Sequence, residues 1–473
     1  MTKISKLIVI FEVFSLFLLI VLAFFAYPQA DDFVFANSLN NLGWLGSQIN
    51  WYKSWFGRFS STMLIISGSY LDLRMLCKIF PVLTVAGYFF AFYLVLDKFF
   101  DNVPKKIRLV SATTMLFLYV CMMPSLSQEF FWFTGWATYA PAQIGILVFI
   151  SKINSIQENK VFFLLILLGI FIIGSNEVAM LILLFLTFAA LLKDYKNKRL
   201  WLLLAVFAAF SLIVVLSPGN AVRSPLFAGK SHELLFSLAA SSGMLLTLVF
   251  LWILNPFLWI AMFMFVYLAE RSYFKIRLPE TKPVFVFLSL IFLMFLAPFT
   301  HFYSTGVPAP ARTLNVSCLI FLFLVFYLVN LSKIRKFLFF IVQKRVIVFP
   351  VFVLWIAANL YLSAFELPEK RDMSFYLKNP LEALNWSVAN YGQNNFYHVY
   401  DDLLSGRAAD YRRTMLKREG QIKNYDGGLL CIEKPQAVPK SIFYKDFSVD
   451  PLKSENKGFA EYHNLEKVAV CGD

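Results

Sequence analysis

The sequence predicts an all-α polytopic membrane protein of about eleven transmembrane helices, with a small C-terminal α+β soluble domain. Three observations carry that expectation. Of 473 residues, 59% are hydrophobic, 18% aromatic and only 15% charged; apolar runs recur through the first 362 positions; and basic residues crowd alternate connections between those runs. A surface in water cannot carry so much apolar area.

The runs lie at 7–27, 80–96, 109–123, 139–150, 161–173, 179–192, 200–216, 244–268, 284–297, 316–329 and 346–362. Several fall below the roughly 20 residues that an isolated span needs, so their helices must extend into semi-polar flanks and lean on one another. The first run follows Lys3 and Lys6 and holds 21 residues. That exceeds the apolar core of a signal peptide and reads as a retained first helix.

Orientation follows from Lys and Arg. Lys98, Lys105, Lys106 and Arg108, Lys152 and Lys160, and the basic residues of 193–199, 271–282 and 333–345 fall in alternate connections on the same side as the N-terminus. The tally is 21 on that side against seven on the other, which places the N-terminus and these connections in the cytoplasm. Asn255 and Pro256 interrupt the run 244–268. One kinked crossing there, and not two, keeps Lys333, Arg335, Lys336, Lys344 and Arg345 cytoplasmic.

From residue 363 the composition changes. The last 111 residues hold 15 Lys and Arg, 16 Asp and Glu, and no run that spans. The chain therefore divides into a transmembrane part, 1–362, with an external loop over 28–79, and a soluble domain, 363–473, on the outer side. Asn379 and Pro380 look like a helix cap and first position, while 395–400 and 429–432 look strand-like. The net charge of +14 resides in the membrane part as a basic cytoplasmic rim facing anionic lipid, and nothing in it argues for nucleic acid. Cys431 and Cys471 either form a bridge, which would close a loop of about 40 residues and add about 4 kcal/mol by the chain-entropy model, or are two free thiols.

Six segments on the outer side carry unusual polar residues. Asp31 and Asp32 follow the first helix; they mark its wet end or, beside an apolar wall, form a pair in which one carboxylate serves as a base near neutrality. Trp51, Trp55, Phe59 and Met63 recur every four residues, an aromatic stripe for a helix lying on the membrane, with Arg58 placed on it to grip a phosphate or snorkel to lipid headgroups. Glu129 to Tyr139 interleaves aromatics with one acid, suiting a sugar as well as a membrane interface. Glu177, in the short Gly174-Ser-Asn-Glu turn, must lie near membrane depth, where acids are functional by default. Ser217-Pro-Gly-Asn220-Ala-Val-Arg223, and His301 to Arg312 with Tyr303 inside it, read as rigid loops that each present an arginine. An anion is the natural ligand of Arg58, Arg223 and Arg312; the alternative is that they anchor their loops by pairing with nearby acids. No CxxC pair, HExxH, P-loop or GxSxG occurs, and the four histidines show no metal-ligand spacing.

Taken together, the Ala-Asp-Asp-Phe, Phe-Gly-Arg, Ser-Asn-Glu, Pro-Gly-Asn-Ala-Val-Arg and Pro-Ala-Arg segments resemble the bacterial GT-C membrane glycosyltransferases, including the serotype-converting O-antigen glucosyltransferases. The resemblance covers most of the chain through short motifs. It implies transfer of a sugar, glucose in that group, from a polyprenyl-phosphate carrier to an envelope glycan such as O-antigen. The reaction would occur at the outer face of the cytoplasmic (inner) membrane, with inversion. It implies Asp31 or Asp32 as base, and Arg58, Arg223 and Arg312 as ligands of the donor phosphate. Adjacent side chains point apart, so one aspartate, taken as Asp31, would touch the acceptor while the other holds an arginine or caps a helix. Glu129 and Glu177 would orient a sugar hydroxyl or pair with an arginine, Trp132, Trp136 and Tyr139 would stack on the acceptor, and Asn176, Asn220, His301 and Tyr303 would contact the sugar or acceptor. The family differs in metal use, so a divalent cation is left open and no metal ligand is assigned. Two other classes fit less well. An O-antigen ligase or polymerase would rely on a large central external loop, and a lipid-linked glycan transporter or flippase would show mid-membrane charge and related halves.

Overall fold

A computed structural model describes residues 3–101, 103–226, 231–270, 275–276, 282–343, 345–364 and 379–471. Of the predicted basic connections, most of 271–282 and Lys344 lie outside the described residues, as does 365–378 at the start of the tail.

Each predicted apolar run is helical. The first part of the chain forms α1 (Lys3–Leu22), α2 (Asp32–Ser54), α3 (Phe59–Gly68), α4 (Leu73–Phe99), α5 (Lys105–Met122), α6 (Leu126–Phe130), α7 (Phe133–Lys152), α8 (Asn159–Ile173), α9 (Glu177–Lys193) and α10 (Lys198–Val215). It continues through α11 (Pro218–Arg223), α12 (Leu234–Ile253), α13 (Pro256–Glu270), α14 (Pro283–Thr305), α15 (Ala311–Asn330), α16 (Ser332–Gln343) and α17 (Arg345–Ala364). Among the described residues seven helices are long and apolar enough to cross a membrane: Ser5–Phe25, Leu73–Phe99, Phe133–Ser155, Lys198–Val215, Leu234–Ile253, Pro283–Thr305 and Ala311–Asn330. The chain is a helical, multi-pass membrane protein in its architecture. Leu7, Phe14, Phe163, Leu167, Leu216 and Leu246 are exposed on the outside of the bundle, as lipid-facing residues must be.

Two kinds of contact fix the ends of the bundle. At one end Arg108 pairs with Asp97, Arg199 donates to the carbonyls of Ile156 (3.0 Å) and Gln157 (2.7 Å), and Arg335 pairs with Glu270 at 2.5 Å. At the other end the connections following α1, α5, α8, α10 and α14 meet one another. The helices therefore alternate in direction, and all six unusual segments gather at the end opposite the basic connections.

The predicted kinked helix 244–268 is two helices, interrupted at Leu254 and Asn255. The Asn255 side chain accepts from the Phe257 amide at 3.0 Å, and Pro256 starts the second helix. The N-H of His232, just before α12, donates to the Tyr303 carbonyl at the motif end (2.7 Å), whereas the far end of α13 carries Glu270, the partner of Arg335. Helices α12 and α13 together thus start at the motif end and finish at the basic end. The stripe from Trp51 to Met63 is also not one helix. The chain breaks between Ser54 and Phe59, Trp51 turns inward to stack on Phe35 with centroids 4.2 Å apart, and Arg58 precedes α3.

The tail forms α18 (Pro380–Tyr391), α19 (Asn395–Leu404), α20 (Arg407–Lys423), β3 (Leu429–Glu433), α21 (Ser454–Tyr462) and β4 (Lys467–Cys471), after the short antiparallel pair β1 (Phe100–Asp101) and β2 (Lys275–Ile276) of the basic end. The expected strand at 395–400 is therefore a helix, capped by the Asn394 side chain, which accepts from the Phe396 amide at 2.9 Å. Strands β3 and β4 run parallel, and Cys431 and Cys471 form a disulfide between them. The tail is joined to the bundle by an extensive apolar interface: Tyr400 hydrogen-bonds Ser15 of α1 (3.0 Å), Phe396 stacks on Phe117 (4.6 Å), and Phe33 packs on Phe459 (5.0 Å). Bundle and tail share one hydrophobic core.

Candidate functional site

The site begins with a left-handed turn. Ala30 adopts φ 53°, a conformation that costs a residue with a Cβ about 1 kcal/mol. What holds it is Gln29, buried at 3% exposure: its side chain donates to the Ile442 carbonyl (2.9 Å) and accepts from the Tyr444 amide (2.7 Å). The turn separates the two aspartates. Asp32 is 1% exposed, with one oxygen accepting from the Gln29 amide (3.0 Å) and the other from the Thr134 amide (3.0 Å) and hydroxyl (2.8 Å). Asp31 is half-buried and accepts from Trp132 Nε1 at 3.1 Å.

Burial pushes the Asp31 carboxyl up to about 6, against the pull of the Arg312 guanidinium. Burial and the neighbouring Asp31 charge push Asp32 up to about 7. The pair therefore titrates close to neutrality.

Arg312 lies over the Trp132 ring, 5.1 Å from its centroid, and donates to Gln128 Oε1 (2.9 Å) and the Tyr444 hydroxyl (3.4 Å). Tyr444 also stacks on Trp132, with centroids 4.4 Å apart. Asp31, Trp132, Arg312 and Tyr444 thus make one cluster, and the tail supplies one of its four members.

The second half of the site is built by close backbone approaches. A Cβ on Gly57 would stand 2.2 Å from the Val214 carbonyl oxygen, and one on Gly219 would stand 2.5 Å from the Phe56 amide nitrogen. Only glycines let the Phe-Gly-Arg and Pro-Gly-Asn segments interlock. Gly174 packs equally tightly against Phe59 and Ser60, and its carbonyl accepts from the Ser60 amide at 2.8 Å. These three contacts bring Arg58, Glu177 and Arg223 together.

Arg58 is held by Glu177 in a bidentate grip, with Nε 3.0 Å from both carboxylate oxygens and Nη2 2.7 Å from one. Burial and the Arg58 charge draw Arg223 below the usual arginine range. The charges of Arg312, Arg58, Arg223 and Glu177 all act on the His301 ring, and Tyr139 joins the halves through a 3.0 Å hydrogen bond to Thr313, next to Arg312. Among the described residues neither Arg223 nor Arg312 forms an ion pair, so neither guanidinium is tied to a carboxylate as Arg58 is.

Several residues expected to touch ligand do other work. Glu129 is fully buried, accepting from Tyr88 (2.6 Å), Tyr119 (3.5 Å) and Asn315 (2.9 Å), and cannot reach a sugar. Asn176 caps α9 through the Ala179 amide (2.9 Å) and donates to the Thr138 carbonyl (2.8 Å). Asn220 donates to the Val214 carbonyl (2.9 Å), closing the end of α10. Trp136 packs between Phe80 and Phe133, and Tyr139 is buried. Arg58, neutralised by Glu177, is a less available anion ligand than Arg223 or Arg312. Tyr303 is exposed at the rim, stacked on Phe299 and edge-on to His232. Gln29, Gln128, Thr134 and Tyr444 escaped sequence reasoning because their roles depend on contacts with distant parts of the chain. Among the described residues no three His, Cys, Asp or Glu side chains assemble as metal ligands.

No protein-family model matches the chain, and no curated protein matches it.

Proposed function

We propose that this chain is a GT-C-type membrane glycosyltransferase that moves a sugar from a polyprenyl-phosphate carrier to an envelope glycan at the outer face of the cytoplasmic membrane. All eleven helical runs would span, counting α12 and α13 as one passage. The N-terminus would face the cytoplasm and the tail the exterior. The observation that carries the reading is the half-buried Asp31 sharing Trp132 with Arg312, beside a second arginine that has no ionic partner among the described residues.

Asp31 is the base. Its carboxylate takes the proton of the acceptor hydroxyl as that oxygen attacks the anomeric carbon from the face opposite the phosphate. The anomeric carbon–oxygen bond to the phosphate breaks with inversion, and its electron pair leaves on the lipid phosphate. Arg312 and Arg223 stabilise that anion through charge-assisted hydrogen bonds, so the leaving group needs no proton. Asp32 positions Asp31 by tying the turn to Thr134, and Glu177 positions Arg58.

The longest connection at this end follows α1 and holds α2 and α3, whereas the central ones are short. That arrangement favours a transferase over an O-antigen ligase or polymerase. The test is glycan analysis of the envelope polysaccharide from cells carrying the wild-type chain, Asp31→Asn or Asp32→Asn at equal membrane levels. A sugar substituent present with wild type and absent with Asp31→Asn supports the reading. An identical glycan in all strains, in a host that makes carrier and acceptor, refutes it.

A further inference from the structure

A second cleft, of about 320 Å³, opens between the loop after α1 and the tail. Its floor is aromatic: Phe33 meets Phe459 edge-on at 5.0 Å, Tyr462 at 5.2 Å and His463 at 5.8 Å. Its rim carries Asp72, Arg74, Glu419 and Lys423, with Arg74 Nη1 2.8 Å from Glu419 Oε1. Arg418, also in the wall, is locked in a two-pronged pair with Asp446 at 2.8 and 2.7 Å.

This cleft pairs its charges, Arg74 with Glu419 and Arg418 with Asp446, and balances Asp72 against Lys423. It therefore offers no excess charge to a phosphate or a nucleic acid. What it does offer is the partly exposed rings of Tyr27, Phe447, Tyr462 and His463, set over the buried Phe33 and Phe459, against which the C–H face of a pyranose packs, and planar carboxylate and guanidinium groups that hydrogen-bond neighbouring hydroxyls. Its volume lies in the range of roughly 300–1,000 Å³ typical of small-ligand clefts. Pro28 and Phe33, both in its wall, bracket Asp31 in the chain.

We infer that this cleft is a glycan subsite, holding the sugar residues of an extended neutral acceptor beyond the one whose hydroxyl meets Asp31. The inference rests on the transferase reading for the identity of the acceptor, though binding itself does not require transfer. The tail thereby gains a role in acceptor binding, because the cleft exists only where tail and loop meet.

The test uses the full chain in lipid nanodiscs and delipidated fragments of the host's envelope polysaccharide, either one repeat unit or several repeats long. Calorimetry on Asp31→Asn measures binding without turnover, and transfer assays on the wild-type background measure KM and kcat. Long fragments should bind more tightly than single repeats. Tyr462→Ala, and the milder Glu419→Gln that preserves packing, should each weaken long-fragment binding and raise its KM about tenfold, the scale of one lost specific contact. Their kcat, donor KM and single-repeat KM should stay unchanged. Equal affinity for long and short fragments, or indifference to both substitutions, overturns the subsite. If long fragments bind through Tyr462 while no sugar is transferred, the subsite stands and the transferase reading falls. If transfer proceeds and both variants behave as wild type, the reverse holds.

Discussion

Asp31 and Asp32 are neighbours in sequence, yet the structure gives them different work. Asp32 uses both oxygens on backbone and hydroxyl donors, whereas Asp31 keeps a half-buried carboxylate against a tryptophan and near an arginine. General-base catalysis is typically worth about 10²–10⁴-fold, so Asp31→Asn should lower kcat by that order while leaving donor KM close to wild type in a transfer assay. The carboxyl pair, raised to about 6 and about 7, should give kcat/KM an acid limb that climbs through that interval as the base ionises. Because Arg312 holds the Asp31 carboxyl down, Arg312→Gln should move this limb to higher pH. A shift to lower pH would contradict the assignment. The same groups act on stability with a definite sign. Both carboxyls bind protons more tightly folded than at the ordinary aspartate value of 3.8, so their contribution is most favourable at low pH and is lost as pH rises through about 6 to 7. The arginines and the acidic pair were legible in the sequence as polar residues in short motifs, as was the expectation that only one aspartate is free to act, but the basis of that division of labour was not. It depends on Gln29 and Thr134, whose importance comes from hydrogen bonds across the fold.

At the scale of elements, the positions of α3, α9 and α11 depend on glycines that permit backbone contact. Gly57 and Gly219 face the opposite segment's backbone, which cannot yield as a flexible side chain would. Gly57→Ala or Gly219→Ala should therefore separate the two segments, lower stability by about 1–3 kcal/mol as overpacking does, and reduce transfer by displacing Arg58 and Arg223. Thermal unfolding in detergent alongside activity checks this; wild-type behaviour in both would rule out the interlock. Helices were read well from hydropathy because apolar runs of this length leave few alternatives. The failures fell where tertiary contact decides. The segment 395–400 alternates like a strand, yet Asn394 caps it as a helix, and the aromatic stripe breaks between Ser54 and Phe59, where Gly57 packs on the Val214 carbonyl and Arg58 pairs with Glu177. Glu129 looked like a loop acid, but two tyrosines and Asn315 claim it in the interior.

For the whole molecule, the two ends of the bundle differ in kind. One carries ion pairs among basic connections, the other the arginine cluster and the tail, and the proposed function requires the second end to face outward. Cys77, Cys121 and Cys318 are buried, so single introduced cysteines report the topology cleanly. Val449→Cys, 75% exposed in the tail, should react with a membrane-impermeant thiol reagent in intact cells, and Lys196→Cys should react only after lysis. The opposite pattern would invert the protein and place the site on the wrong side for an external acceptor. The disulfide between β3 and β4 suits an oxidising compartment. Cys431→Ser should destabilise the tail by up to about 4 kcal/mol. Whether Asp31 deprotonates an acceptor sugar is best decided in a defined reaction of purified chain, polyprenyl-phosphate glucose and envelope glycan. An inverted glycosidic linkage should form with wild type, with at least about a hundredfold loss in Asp31→Asn and unimpaired donor binding in that variant. Transfer by Asp31→Asn at the wild-type rate would show that Asp31 is not the base.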